Sequence, residues 1–186
     1  GAEIFDEEVR AYICKGKVSS TDWLTIHGLW HSRGKESNAT MLFGHVEKRK
    51  DRIDHMLRLR NLQDKSGGFN AFIPLVYQRE NNYLKVEDFL SSTEILKTFA
   101  ISRLILDNIP HIKAYWATST INLALIALDF GADDLDGTIE KEEIQSAAGA
   151  SSAKGMNIKD FLDLITTSGF IPVERDSLYN ELKIYN

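Results

Sequence analysis

The sequence predicts an α/β protein in which parallel strand–helix units form about half of a TIM-type barrel. Short β-rich runs alternate with helical patterns, and this alternation is typical of a parallel sheet with right-handed crossovers. Four successive strand–helix units are predicted, preceded by two helices that need a strand before them. The chain has 186 residues, whereas a complete eight-stranded barrel takes about 250.

The first half of the chain begins with the end of a strand, Gly1–Phe5, and contains two more strands. Cap residues before the apolar patterns and glycines after them delimit the helices. The predicted elements are a helix capped by Asp6 through Ile13, a helix capped by Ser19 or Ser20 through His31, the strand Ser37–Phe43, the helix Lys48–Gln63 and the strand Phe69–Tyr77.

The second half repeats the pattern and ends in a tail. Its predicted elements are a helix capped by Ser91 or Ser92 through Asp107, the strand His111–Trp116, a helix from Thr118 or Ser119 to Phe130, the strand Ala132–Leu135, the helix Glu140–Ala148, a helix capped by Asn157 through Thr167, and a tail, Gly169–Asn186, with a short helix. We therefore assign residues 1–150 to the half-barrel and residues 151–186 to a C-terminal helix and tail that pack on it.

The composition excludes several classes of protein. With 43% hydrophobic and 26% charged residues, the chain is typical of a soluble globular domain. A net charge of −5 argues against a nucleic-acid-binding surface. The richest apolar run, Ile121–Phe130, is too short to span a bilayer. The single cysteine, Cys14, excludes an internal disulfide and indicates the reducing cytoplasm.

Polar side chains gather where the predicted strands end, which is where parallel barrels place their chemistry. By alternation, Lys113 and Tyr115 share one face of their strand. A lysine facing a barrel interior needs an anion, because an unpaired buried charge is costly. Its partner is then the aspartate cluster of the next strand or a substrate carboxylate; alternatively, its ammonium reaches solvent. The rim candidates are Glu3, Thr40, Gly44, His45, Glu47, Gln78, Arg79, Tyr115, Thr118, Asp133, Asp134, Asp136 and Thr138.

One alternative of another class is a calcium-binding or interaction module at residues 132–143. This segment nearly fits the twelve-residue EF-hand loop, with Asp134, Asp136, Gly137 and Glu143 at the third, fifth, sixth and twelfth positions. However, Ala132 stands at the first position, where a calcium ligand is expected. A third possibility is another barrel enzyme that uses Asp134 or Asp136 in acid–base chemistry, which requires a raised carboxylate pKa.

Two other features favour packing over chemistry. His27 and His31 share a helix face and could bind zinc, but no third ligand is indicated and the glutamate of the metalloprotease motif is absent. Cys14 has no obvious base partner, so we expect an inert thiol.

Several blocks, in matching order over almost the whole chain, resemble the aminofutalosine synthase family. The blocks at Lys113–Trp116 and Asp134–Thr138 are more similar to the synthase than to its sister, the dehypoxanthine futalosine cyclase. The full set is Gly1–Ile4, Asn38–Glu47, Gly67–Leu75, Asp107–Trp116, Gly131–Thr138, Ala147–Ala150 and Gly169–Asp176.

The resemblance implies a radical S-adenosylmethionine enzyme of menaquinone biosynthesis. In such enzymes a [4Fe-4S] cluster and S-adenosylmethionine generate a 5′-deoxyadenosyl radical, which adds to 3-[(1-carboxyvinyl)oxy]benzoate to give aminofutalosine. An electron donor is also required. The cluster needs three cysteines in a Cys-x3-Cys-x2-Cys motif, and this chain has only Cys14. We therefore expect a C-terminal half that is inactive alone and that pairs with a missing N-terminal half or a dimer partner.

The resemblance also assigns candidate binding residues. Thr40-x-Leu42-x-Gly44-x-x-Glu47 is similar to the Gly-x-Ile-x-Gly-x-x-Glu element that packs near the adenine, with Thr40 departing from the usual glycine. Glu3 would face the methionyl ammonium, which makes Glu3, Thr40, Gly44 and Glu47 the cofactor-binding candidates. Cationic and polar groups that suit the substrate's two carboxylates are His45, Gln78, Arg79, Lys113 and Tyr115.

Overall fold

The computed structural model describes residues 1–81, 83–86, 90–138, 147 and 155–186. Its helices are α1 (Glu7–Ile13), α2 (Ser20–His31), α3 (Arg49–Ser66), α4 (Ser92–Ile105), α5 (Trp116–Ser119), α6 (Ile121–Leu128) and α7 (Ile158–Thr167). Its strands are β1 (Ser37–Phe43), β2 (Phe69–Val76), β3 (His111–Ile112), β4 (Val173–Arg175) and β5 (Glu181–Ile184).

The first three strands form a parallel sheet in the order β1-β2-β3. Two further segments continue it on either side. Leu42 donates its backbone N–H to Glu3 O at 2.8 Å, and Lys113 forms a parallel bridge with Asp134. The predicted α/β class with a parallel sheet is confirmed; closure into a barrel stays a prediction.

The two faces of the sheet differ in burial. Ala39, Met41 and Phe43 of β1 are fully buried in a core to which α3 contributes Met56 and Leu59. The alternate residues Thr40 and Leu42 of β1, and Ile73 and Leu75 of β2, are only half-buried. One face is therefore packed under the helices, and the other, called here the open face, is less covered.

The helix boundaries follow the predicted caps. The side chains of Asp6, Ser19, Ser91 and Asn157 each accept a hydrogen bond from a backbone N–H in the first turn of α1, α2, α4 and α7, respectively. These bonds satisfy amides that the helix itself leaves unpaired. At the other end, α3 stops at Gly67, whose φ of 59° is left-handed.

The second half departs from the prediction in three places. The third strand is only His111–Ile112, because the chain turns into α5 at Trp116. The predicted helix ending at Phe130 is split by Thr120, whose φ of 73° and ψ of 152° cannot continue a helix. The fourth strand, Ala132–Leu135, is reduced to the single bridge at Asp134.

The tail was predicted wrongly to contain a short helix. It forms an antiparallel hairpin, β4–β5, in which Val173 pairs with Ile184. Asp176 stabilises the turn, because its Oδ1 accepts hydrogen bonds from the backbone N–H groups of Leu178 (2.8 Å) and Asn180 (2.9 Å). Apart from residue 147, the predicted helix Glu140–Ala148 lies outside the described residues, as does the predicted boundary at residue 150.

The described helices were also compared with the dimensions of a bilayer. None of them is long and apolar enough to cross a membrane.

Candidate functional site

The carboxyl ends of the parallel strands meet at one edge of the sheet, and most of the predicted site residues lie there. The structure gathers them into two groups. The β1 loop, Gly44–Glu47, follows β1. The aspartate cluster consists of Lys113, Asp134, Asp136, Arg175 and Tyr179.

Glu47 closes the β1 loop with a fully buried carboxylate. Its Oε1 accepts hydrogen bonds from the backbone N–H of Gly44 and from Arg52 Nε, both at 2.7 Å. Its Oε2 accepts from the backbone N–H of His45 at 2.8 Å. The guanidinium of Arg52 compensates the buried charge, so the loop is fixed by a satisfied ion pair.

His45 is a buried imidazole held within the same loop. Its Nε2 donates to Leu42 O at 3.0 Å, and its Nδ1 accepts from the backbone N–H of Glu47 at 3.3 Å. Burial lowers the pKa of His45, although the carboxylate of Glu47 opposes that shift. This predicted substrate residue is therefore a neutral group whose two ring nitrogens both hold the loop in place.

Gly44 has a φ of 89°, a conformation that favours glycine. A Cβ atom there would lie 2.8 Å from Leu90 Cδ2, so the space next to the loop is filled by Leu90. The neighbouring candidate Thr40 accepts a hydrogen bond from Ala2 N at its Oγ1 (3.3 Å) and from His55 Nε2 at its carbonyl oxygen (3.0 Å).

The carboxylate of Glu3 is paired with Lys17, whose ammonium donates a hydrogen bond to it. Burial alone would raise the pKa of Glu3, but the hydrogen bond and the charge of Lys17 lower it. The side chain is 16% exposed and already holds one ammonium group of this chain.

The candidates after β2 contact other loops. Gln78 Nε2 donates to the carbonyl oxygen of Thr118 at 2.9 Å and so links the end of β2 to α5. Arg79 Nε donates to Val86 O at 3.1 Å. Tyr115 is the residue before α5, and its carbonyl oxygen accepts from Thr118 N.

Lys113 lies in the aspartate cluster and is 7% exposed. Its ammonium donates to Asp136 and lies 3.8 Å from Asp134 Oδ2. The structure therefore matches the prediction that this lysine meets the aspartates of the following strand, and it does not match the alternative of an ammonium in solvent.

Asp134 is the centre of the cluster. Its Oδ2 accepts hydrogen bonds from Arg175 at 2.5 Å and from the Tyr179 hydroxyl at 2.7 Å, and its Oδ1 accepts from Asp136 N at 2.8 Å. Burial alone would raise the pKa of Asp134, but Lys113 and these donors together lower it. A lowered pKa is the opposite of what acid–base chemistry at Asp134 requires.

The calcium alternative loses support at its described part. Asp134 and Asp136, two of its candidate ligands, are bound to cationic side chains. Residues 139–143 of the proposed loop lie outside the described residues. Within the described part of the chain, no three His, Cys, Asp or Glu side chains are placed to hold a metal ion.

The zinc and thiol alternatives are explained by packing. His27 Nδ1 and His31 Nε2 both lie 2.8 Å from Ser37 Oγ. Burial lowers the pKa of His27 to about 4. Cys14 Sγ donates to Arg10 O at 3.1 Å, and burial raises the pKa of this thiol.

Four residues of the site were missed from the sequence. Arg52 and His55 lie on α3 and could have been found from their spacing after β1, which places them beside that strand. Arg175 and Tyr179 come from the tail, where no local pattern indicates contact with Asp134.

Residues 66–186 match the family described as the CofH/MqnC C-terminal region. The chain belongs to this family. It is 47% identical over 190 residues to the aminodeoxyfutalosine synthase of Thermus thermophilus, and 43% identical over 196 residues to that of Streptomyces coelicolor. Each alignment covers 100% of the chain and 51% of the relative.

A second kind of relative is the cyclic dehypoxanthine futalosine synthase of Streptomyces coelicolor. It is 39% identical over 186 residues, which cover 100% of the chain and 46% of that relative. The chain thus spans about half the length of the curated relatives it matches. The resemblance to the aminofutalosine synthase family is confirmed.

The residues of this chain suit one of the two cofactors implied by the resemblance better than the other. An iron–sulfur cluster does not fit, because Cys14 is the sole cysteine of the sequence and its pKa is raised. S-adenosylmethionine fits better, since Glu3 is a carboxylate that holds one ammonium group, that of Lys17, at the edge of the sheet.

Proposed function

We propose that this chain is part of a radical S-adenosylmethionine enzyme that makes aminofutalosine. The observation that carries the proposal is the 47% identity to an aminodeoxyfutalosine synthase over the whole chain. Identity to the cyclic dehypoxanthine futalosine synthase is lower, at 39%. The polar edge of the parallel sheet supports the proposal, because enzymes with parallel barrels bind their substrates at this edge.

The sheet would contribute the second half of a barrel. Its open face carries Leu42, Ile73 and Leu75, which are half-buried and would point into the barrel interior. The other half would pair with the segment Ala2–Ile4, which lies outside β1, and would have to displace the Arg10 guanidinium, which donates to the carbonyl oxygens of Ala2 and Ile4.

Helix α2 offers a second surface for that other half. Ile26, Leu29 and Trp30 are 56%, 62% and 49% exposed. Gly28, where a Cβ atom would lie 3.4 Å from Leu62 Cδ1 of α3, lies on another side of α2. The apolar side chains thus point away from α3, toward the place where a preceding barrel helix would pack.

The residues of this chain would bind the cofactor and the substrate. Glu3 would hold the methionyl ammonium, and Thr40 and the β1 loop would lie near the adenine, which requires Leu90 to move from Gly44. His45, Gln78, Arg79, Lys113 and Tyr115 would lie on the substrate side. When bound, S-adenosylmethionine and a [4Fe-4S] cluster supply a 5′-deoxyadenosyl radical for addition to 3-[(1-carboxyvinyl)oxy]benzoate.

The remaining requirements would be met outside these residues. The cluster cysteines would come from the other half of the enzyme, and an electron donor would reduce the cluster. The 186 residues alone would be inactive, and the enzyme would work in the cytoplasm, where cysteines stay reduced.

The test is a reaction with the full-length gene product, reconstituted anaerobically with iron and sulfide. It is incubated with S-adenosylmethionine, a reductant and the enol ether, and aminofutalosine is sought by mass spectrometry. Formation of aminofutalosine supports the proposal. Deoxyadenosine without aminofutalosine would favour the sister reaction or another substrate, and the absence of both products with an intact cluster would reject radical chemistry.

A further inference from the structure

The C-terminal hairpin is attached to the sheet through one carboxylate. Among the described residues, two hydrogen bonds from β4–β5 and its turn reach the sheet, and both end on Asp134 Oδ2. They come from Arg175 at 2.5 Å and from the Tyr179 hydroxyl at 2.7 Å. The strands of the hairpin are otherwise largely exposed, so this contact fixes where the hairpin lies.

The ring of Tyr179 adds two contacts to the same place. It stacks on His111 at the start of β3, with 4.0 Å between ring centroids and 9° between planes. The guanidinium carbon of Arg175 lies 4.0 Å from its centroid. These contacts orient the guanidinium and the hydroxyl toward Asp134.

The hairpin also determines which aspartate accepts a hydrogen bond from the Lys113 ammonium. Asp134 Oδ2 is engaged by Arg175 and Tyr179 and stays 3.8 Å from the Lys113 ammonium, beyond hydrogen-bond distance. The ammonium donates instead to Asp136. A lysine has three N–H donors, and Asp136 uses one of them.

The charges of the cluster balance only because of the hairpin. Lys113 and Arg175 carry one positive charge each, and Asp134 and Asp136 carry one negative charge each. Without Arg175, two carboxylates would surround one lysine, and these described residues of the aspartate cluster would have a net negative charge. Such a charge repels an anionic substrate.

We propose that Arg175 and Tyr179 are positioning residues for substrate binding. They hold Asp134 away from Lys113, so that the Lys113 ammonium can meet a carboxylate of an aromatic dicarboxylate substrate. This inference rests on the proposed function, because it takes Lys113 to lie on the substrate side.

The experiment measures the Kd of 3-[(1-carboxyvinyl)oxy]benzoate by calorimetry in the full-length enzyme without reductant, so that no turnover occurs. Arg175→Gln should raise the Kd about tenfold, because a charge-assisted contact is lost. Arg175→Lys should recover most of the affinity. Tyr179→Phe should raise the Kd about fivefold, since one hydrogen bond to a carboxylate is lost.

A matched control lies in the same hairpin. Tyr185 donates its hydroxyl to Glu174 at 2.7 Å on the exposed surface, so Tyr185→Phe removes the same group away from Asp134. Its Kd should equal that of the wild type. If Tyr179→Phe and Tyr185→Phe bind the substrate equally well, the inference is wrong.

A double variant separates positioning from general structural damage. If Arg175 acts through Lys113, adding Arg175→Gln to Lys113→Gln should change the Kd by less than twofold. Independent, multiplying effects would overturn the inference. A wild-type enzyme that neither binds the enol ether nor makes aminofutalosine would reject the proposed function, and the inference with it, whereas product formation with an unchanged Kd in Arg175→Gln would reject the inference alone.

Discussion

The β1 loop and the aspartate cluster are both buried networks of charge at the same edge of the sheet, but they are built differently. The loop joins Gly44, His45, Glu47 and Arg52, which are neighbours in sequence. The cluster joins Lys113, which directly follows β3, to Asp134 and Asp136 and to two residues of the tail. The β1 loop can therefore form as soon as β1 and α3 have folded, whereas the aspartate cluster forms only when the hairpin has docked.

The largest effect that this comparison predicts comes from Glu47→Ala. The change leaves the buried Arg52 guanidinium and two backbone amides without their acceptor, so we expect the free energy of unfolding to fall by about 3–5 kcal/mol. Denaturant titration of the chain measures it. Glu94→Ala removes the partly buried partner of the exposed Arg49 and should cost about 1 kcal/mol or less. Equal losses would show that the β1 loop is not a stabilising network.

Asp134→Ala should have the next largest effect and should act on the hairpin. The variant removes the acceptor of Arg175 and Tyr179, and we expect a loss of about 2–3 kcal/mol. Limited trypsin digestion should cut faster after Arg175 and Lys183. Asp163→Ala, which breaks an exposed pair with Lys159, is the control. Unchanged digestion in Asp134→Ala would mean that other contacts dock the hairpin.

Acid should affect the two regions at different pH. Burial lowers the pKa of His55, which lies behind β1, to about 3, below its ordinary value of about 6.5. The unfolded chain therefore takes up a proton that the folded chain does not. The contribution of neutral His55 to the free energy of unfolding is therefore fully present above pH 6.5 and decreases as the pH falls toward 3.

The His55→Gln variant tests this expectation. Between pH 6.5 and 5, the wild type should lose about 2 kcal/mol more than His55→Gln, as measured by denaturant titration at each pH. Asp134, whose pKa is lowered, should stay ionised over this range. Identical pH dependence in the two proteins would contradict a neutral, buried His55.

The smallest expected effect lies between the two regions, at Thr120. Its left-handed backbone is strained for any residue except glycine. Thr120→Gly should therefore raise the free energy of unfolding by about 0.5–1 kcal/mol, because glycine relieves the strain and still tolerates the cap position. Thr120→Ala keeps the strain and loses the cap, so its melting temperature should fall. A decrease in both variants would argue against strain.

The sequence predicted the first half of the molecule better than the second, for physical reasons. Helix caps such as Asp6 and Ser19 act within one turn, so a short pattern reveals them. In the β1 loop, the Glu47 carboxylate likewise accepts hydrogen bonds from the backbone N–H groups of two residues just before it, Gly44 and His45. These features depend on neighbours that the sequence shows directly.

The elements that were predicted wrongly depend on contacts between residues far apart in the sequence. β3 ends early because the chain turns into α5 at Trp116, whose indole donates to Gly137 O. The tail forms a hairpin in which Arg175 donates a hydrogen bond to Asp134, a residue 41 positions away in the sequence. No local spacing signals such a pair, and alternating polar and apolar residues in a short segment are ambiguous.

The parallel register also has a consequence for the time at which the sheet can form. Thr40 pairs with Ile73, and Phe72 pairs with Ile112, so each strand must wait until a whole helix and the next strand have been synthesised. At roughly 5–20 residues per second, the wait during translation lasts seconds. During this time, the unpaired backbone edge and the apolar face of each finished strand are available to chaperones or to other nascent chains.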